Sequence, residues 1–243
     1  MPGTSVLASG HPLSLCEVAA VIVFLDTEFT DFIDCELVSI GMVTENGRQF
    51  YAEVLDFDRA KCTEFVRSAV LPLLGQLPDT IVMRAELGAA LHTWFAELAV
   101  PVTIAIDYSA DWELLVHALD GELPASLVGR LDLASIAESA VFALAAAGYH
   151  AAPGRPWHHA LHDARGMRAG FLAVESNALQ ARIPETDRRG RRTHVELSDI
   201  PAPYHDEFTT WLASKPKHQA AADASAVRRS AWREWLVLRF SER

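Results

Sequence analysis

An α/β fold is predicted, a mixed five-stranded sheet flanked by helices with a small helical C-terminal extension. Three observations predict it. Of the 243 residues, 50% are hydrophobic and 22% charged, the composition of a packed globular chain. Three consecutive strand-like segments open the patterned part of the chain. After them, stretches with apolar residues three and four apart alternate with short β-branched runs, the order of a sheet covered by helices.

The first segment is Val21-Ile22-Val23-Phe24-Leu25, apolar throughout, which suits a strand buried on both faces. Glu36 to Val43 reads as a second strand. Asn46-Gly47 supplies the positive φ values of a tight hairpin turn, and Arg48 to Val54 returns as a third. Helical spacing covers Arg59 to Val70 and Met83 to Leu98; in the latter Leu87, Leu91, Trp94, Phe95 and Leu98 form one stripe. Pro101 breaks that helix, and Val102 to Ile106 is a fourth strand. Ser109 suits an N-cap for a helix from Ala110 to Leu119. Leu131 to Leu133 is a short fifth strand, and Ser135 to Ala147 an Ala-rich helix stopped by Gly148. The last helix of the main domain runs from Trp157 to Glu175. Two amphipathic helices follow, Tyr204 to Ala213 and Ala226 to Phe240, with Trp211, Trp232 and Trp235 on their apolar sides.

Charge divides the chain. Residues 1–181 carry 9 basic and 23 acidic side chains, whereas residues 182–243 carry 12 basic and 9 acidic. The net charge of −11 argues against coating long duplex DNA, which needs Lys and Arg. It does not exclude an enzyme that gathers metal cations and grips a short nucleic acid locally. The division sets a leader over 1–19, a main domain over 20–181 and a basic linker with helices over 182–243. Residues 1–20 lack the basic start and apolar core of a signal peptide, and no stretch is apolar enough to span a membrane. Three cysteines without CxxC spacing point to a reducing compartment, here the cytoplasm.

Three polar segments carry the chemistry. Asp26 and Glu28 end the first strand, two apart and therefore on one face. Paired carboxylates repel unless a cation joins them, and Mg²⁺ or Mn²⁺ takes oxygen ligands. Alone, the pair is a weak signal and reads first as a solvated strand end. Asp111 lies in the first turn of the helix after the fourth strand, where an acid also suits the helix dipole. His158-His159-Ala160-Leu161-His162-Asp163 opens the last helix and reads as a polar junction or a histidine-rich metal site.

Together these segments resemble the DEDD exonuclease superfamily, whose fold is ribonuclease H-like, over about residues 20–176. A histidine five residues before the last Asp marks the DEDDh branch; that residue is His158, rather than His159 or His162. Phe24 to Phe29, Leu37 to Val43 and His158 to Arg165 look most like the mycobacterial-type bacterial 3′–5′ exoribonucleases. The family often has Asn four residues before the second-motif Asp and an aromatic residue directly before it; here those positions are Asp107 and Ala110.

The resemblance implies two Mg²⁺ or Mn²⁺ ions held by Asp26, Glu28, Asp111 and Asp163, with His158 as general base. It implies a 3′–5′ exoribonuclease acting on the 3′ end of single-stranded RNA, releasing nucleoside 5′-monophosphates, and a homodimer. The carboxylates do not distinguish ribose from deoxyribose, so a DNA exonuclease is the nearest alternative, and a non-catalytic nucleic-acid-binding module a further one. Thr27 is placed to meet the terminal sugar, and Phe29 either to stack on the terminal base or to pack in the core. Residues 182–243 have no family resemblance; their Trp residues and Arg run either grip a partner or cap the main domain.

Overall fold

A computed structural model describes residues 20–182, 194–215, 218 and 226–240. The expected leader over 1–19 and the basic run at 187–192 lie outside the described residues.

Strands β1 (Val21–Phe29), β2 (Leu37–Thr44) and β3 (Gln49–Val54) form an antiparallel meander, with the β2–β3 turn at Asn46-Gly47, where Gly47 has φ 92°. β4 (Ile81–Val82) adds in parallel to β3. Helix α1 (Arg84–Leu98) leads to β5 (Val102–Ile106), which pairs parallel with β1. Helix α2 (Ser109–Ala118) leads to β6 (Leu127–Asp132), parallel to β5. The sheet order is β4-β3-β2-β1-β5-β6. It has six strands where five were expected; β4 is two residues long and carries no periodicity to read.

Alternation along β1 divides two cores. Val23 and Leu25 face Leu87, Leu91 and Phe95 of α1 and Leu114 and Leu115 of α2. Phe24 faces the other way, toward the pair α4 (Ala140–His150) and α5 (Ala160–Arg182), where its ring meets Phe171 at 5.3 Å. A short helix α3 (Ala134–Ala137) precedes α4.

Several boundaries differ from expectation, each for a local reason. The helix expected over 59–70 is broken into a 3-10 turn (Arg59–Lys61), a π-helical turn (Val66–Val70) and a second 3-10 turn at Leu71–Leu73 that contains Pro72. The Ala-rich helix breaks at Ser139, whose side chain accepts from the Phe142 amide and starts α4 afresh. α4 then passes through Gly148 to His150, because Tyr149 and His150 are buried and their packing outweighs the roughly 1 kcal/mol glycine cost. α5 starts at Ala160, leaving Trp157 and His158 in the preceding loop.

α5 also runs to Arg182, past the change in charge. Beyond it, β7 (His194–Glu196) pairs with β8 (Ala226–Arg228), the latter replacing the expected first turn of the last helix. α6 (Ala202–Ser214) and α7 (Arg229–Phe240) complete a separate core of Phe208, Leu212, Trp232, Trp235 and Leu236, joined by Leu179 of α5. No described helix is long and apolar enough to cross a membrane.

Candidate active site

β1 presents Asp26 and Glu28 on the face that α5 covers, and they lie inside the strand rather than after it. Asp26 pairs across the ladder with Gly41 of β2. A Cβ at Gly41 would stand 2.3 Å from the Ala160 carbonyl carbon and the Leu161 amide nitrogen. Only a residue without a side chain lets the start of α5 rest on the sheet here. That close approach delivers His158 and Asp163 to the carboxylates of β1.

The parallel β1–β5 pairing brings the second acid. β5 ends beside β1, and α2 begins two residues later, which lands Asp111 near the strand. Asp111 is 2% exposed and anchored by Thr27, whose amide (3.1 Å) and hydroxyl (2.6 Å) both donate to Asp111 Oδ1. Thr27 is itself buried. Its hydroxyl and amide hydrogens are thus used to orient Asp111, while the hydroxyl oxygen keeps its acceptor lone pairs.

The three histidines around Asp163 point three ways. His158 is exposed, has φ 64° in the left-handed region, and meets the Phe65 ring edge-on at 4.8 Å. A non-glycine residue in that region stores strain that the surrounding structure must sustain. His159 is 3% exposed and stacks on Tyr51 at 4.6 Å, while its amide donates to Asp163 Oδ2 at 3.1 Å. His162 turns to α4, its Nδ1 2.8 Å from the Tyr149 hydroxyl.

Ligand atoms of Glu28, His158 and Asp163 lie within 4.8 Å of one another, and so do those of Asp26, Asp107 and Asp111. All five residues named from the sequence therefore fall into these two neighbouring groups. Asp107, noted only as a departure from the family pattern, is a fifth carboxylate. The signal that could have found it is its place directly after β5, four residues before Asp111. His150 had no sequence signal. It comes from the end of α4, with Nε2 3.3 Å from Asp163 Oδ1 and Nδ1 3.1 Å from the Arg155 carbonyl oxygen. Its ring stacks on Trp157 at 3.6 Å.

Burial and mutual repulsion push these acids toward their neutral forms. Burial, then the charges of Asp111, Asp163 and Glu28, raises Asp26 well above the usual carboxylate range. Burial first, then Asp163 and Asp111, brings Glu28 up to about 8. Asp111 and Asp163 rise to about 7, again chiefly through burial, although bonds from Thr27 and from the amides of His158 and His159 oppose the shift. Such a cluster is costly as bare anions and suits hard divalent cations, which bind oxygen and supply the missing positive charge. The donor set, carboxylate oxygens with one imidazole, fits Mg²⁺ or Mn²⁺ rather than a thiolate metal.

Part of this chain matches known 3′–5′ exoribonucleases. Over 52 residues, 21% of the chain, it is 48% identical to two curated proteins of that name from Mycobacterium tuberculosis, strains CDC 1551 and H37Rv. The matched segment spans 31% of the length of those relatives, less than a third of either. No family model matches the chain. Among solved structures, Exonuclease I from Methylocaldum szegediense is similar at 15% identity and a TM-score of 0.40. That alignment covers 93% of this chain and 68% of the other, and at so low a score only the site geometry and the local match bear on function.

Phe29, the remaining sequence candidate, is half-buried. It packs against the core under α1 and α2 and touches the exposed Phe32 ring edge-on at 5.3 Å.

Proposed function

We propose that this protein is a metal-dependent 3′–5′ exonuclease of the DEDDh type that hydrolyses single-stranded RNA to nucleoside 5′-monophosphates. One observation carries the reading: four carboxylates from β1, α2 and α5 converge with one exposed imidazole. The partial match to 3′–5′ exoribonucleases favours RNA as the substrate.

Asp26, Glu28, Asp111 and Asp163 would hold two divalent ions, and Asp107 adds a further oxygen donor beside Asp26 and Asp111. When bound, Mg²⁺ or Mn²⁺ supplies water activation and charge neutralisation at the scissile phosphate and the leaving 3′ oxygen. His158 would accept the proton of the attacking water, a task for which an imidazole is suited at neutral pH. Its exposure leaves it open to solvent and substrate, while Thr27 and the His159 amide hold the carboxylates of Asp111 and Asp163 in orientation.

The test is a comparison of 5′-labelled RNA and DNA oligomers incubated with Mn²⁺, with wild-type protein and Asp163→Ala. Wild type should shorten RNA from its 3′ end and release 5′-monophosphates, and the variant should leave it intact while keeping its circular dichroism. Equal cleavage by both proteins would remove the assignment; faster cleavage of DNA than RNA would move the substrate.

A further inference from the structure

His150 is a buried imidazole with no part in the reaction described above. Its side chain is 1% exposed, which shields it from solvent and substrate. Removing a polar ring from water is unfavourable unless its nitrogens find partners. Nδ1 lies 3.1 Å from the Arg155 carbonyl oxygen, which can only accept, so Nδ1 carries a proton and the ring is held in one orientation. Nε2 then points at Asp163 Oδ1, 3.3 Å away. Among the described residues neither of these two atoms has another hydrogen-bond partner. One proton between them, on whichever atom, closes the contact.

The surroundings are shaped to bring the ring to this place. Gly166 lies about one turn beyond Asp163 in α5, and a Cβ there would stand 2.6 Å from His150 Nε2. A glycine inside a helix costs about 1 kcal/mol relative to Ala, and here it leaves room for the imidazole. A face of the ring is covered by Trp157, with centroids 3.6 Å apart and planes 17° from parallel. Arg155 and Trp157 belong to the loop over 151–159 that leads into α5. His150 therefore grips that loop at two points and the first turn of α5 at a third. His158 sits between Trp157, which stacks on His150, and His159, whose amide donates to Asp163 Oδ2. A residue at φ 64° persists only where its neighbours fix it, and both neighbours of His158 are fixed in this way.

We propose that His150 is a positioning residue of the site: it sets the carboxylate of Asp163 directly and the backbone of His158 through Trp157. The role rests on the exonuclease reading and adds to it a residue from α4, an element that supplies none of the proposed ligands. A carboxylate left free to rotate binds a divalent ion less tightly, and an imidazole displaced from its place meets the attacking water less often.

The experiment measures Mn²⁺ affinity by calorimetry, and kcat and KM on a hexaribonucleotide. His150→Phe keeps a ring on Trp157 and fills the space, but faces Asp163 with no polar atom. It should weaken Mn²⁺ binding about 10- to 100-fold, the usual cost of removing the partner of a metal ligand, while keeping its circular dichroism. His150→Gln, whose amide reaches about as far as Nε2, should regain most of that affinity. Trp157→Ala should leave Mn²⁺ affinity near wild type and lower kcat by up to about 10²-fold, the cost of misplacing a reacting group by about 1 Å, with KM little changed. Wild-type Mn²⁺ affinity in His150→Phe, or an equal loss in His150→Gln, overturns the role toward Asp163. A rise in KM without a fall in kcat in Trp157→Ala overturns the role toward His158. If wild type binds Mn²⁺ but cleaves no RNA, the exonuclease reading falls, and the Mn²⁺ affinities still decide the role toward Asp163. If wild type binds no Mn²⁺, both are overturned.

Discussion

The two ends of α5 hold opposite kinds of chemistry. At its N-terminal end, Asp163 joins four other acids whose burial raises Asp26, Glu28 and Asp111 as well as itself. The adjoining His158 keeps a left-handed backbone conformation. At its C-terminal end, Leu179 enters a core of Phe208, Trp232 and Trp235, with rings 5.0–5.3 Å apart. There the neighbouring charge is paired: Arg239 bridges Glu45 and Glu207 at 2.5 and 2.8 Å. One end carries unfavourable interactions that protonation or a bound cation relieves. The other gathers apolar area and satisfied ions, which is what stabilises a fold. The contrast bears on two of the three C-terminal tryptophans: Trp232 and Trp235 are each 2% exposed and pack in this core, whereas Trp211 is half-buried at its edge.

Three substitutions or conditions would break or sharpen the contrast. The largest effect belongs to His158→Ala, which should lower kcat about 10²–10⁴-fold, the usual contribution of a general base, with little change in melting temperature. A comparable loss in His162→Ala with none in His158→Ala would shift the catalytic role to the other imidazole. Next is Trp235→Ala, which should cost about 3–5 kcal/mol in denaturant unfolding through the cavity it leaves. Exonuclease activity of the folded variant should fall less than tenfold; a collapse of activity at unchanged stability would mean that the C-terminal core acts on the site directly.

The smallest effect is on pH dependence. With Glu28 near 8 and Asp111 and Asp163 near 7 in the folded state, that state binds more protons than the unfolded chain between about pH 4 and 8. Stability in chelator should therefore fall as pH rises through that window, by several degrees in melting temperature at about 2–4 °C per kcal/mol. Mn²⁺ at pH 8 should restore it by binding only the folded form. A flat or rising profile in chelator would show that the acids are not crowded in solution.

The acids and the imidazole were legible because their signals are short-range. Asp26 and Glu28 share a face by strand periodicity, and the spacing from His158 to Asp163 marks one helix start. Other residues were not legible because their roles depend on distant contacts. Gly41 reads as an ordinary strand glycine until α5 is seen resting on it. Asp107 reads as a departure until the β1–β5 pairing brings it to Asp26. Thr27 gives no sign of anchoring Asp111, 84 residues away, until the hydrogen bond between them is seen. The two-residue β4 is set by pairing with Glu53 and Val54 alone.

The sequence by itself determined the α/β class, most of the strand–helix order and which side chains are candidates for the site, because periodicity and local spacing are properties of neighbouring residues. The tertiary structure decided how those side chains meet. It turned His158 toward the carboxylates and His159 and His162 away, and added Asp107. Those outcomes depend on the crossing of α5 over β1 and β2 and on the parallel pairing of β1 with β5. Such contacts join residues far apart in the chain, where no local pattern records them.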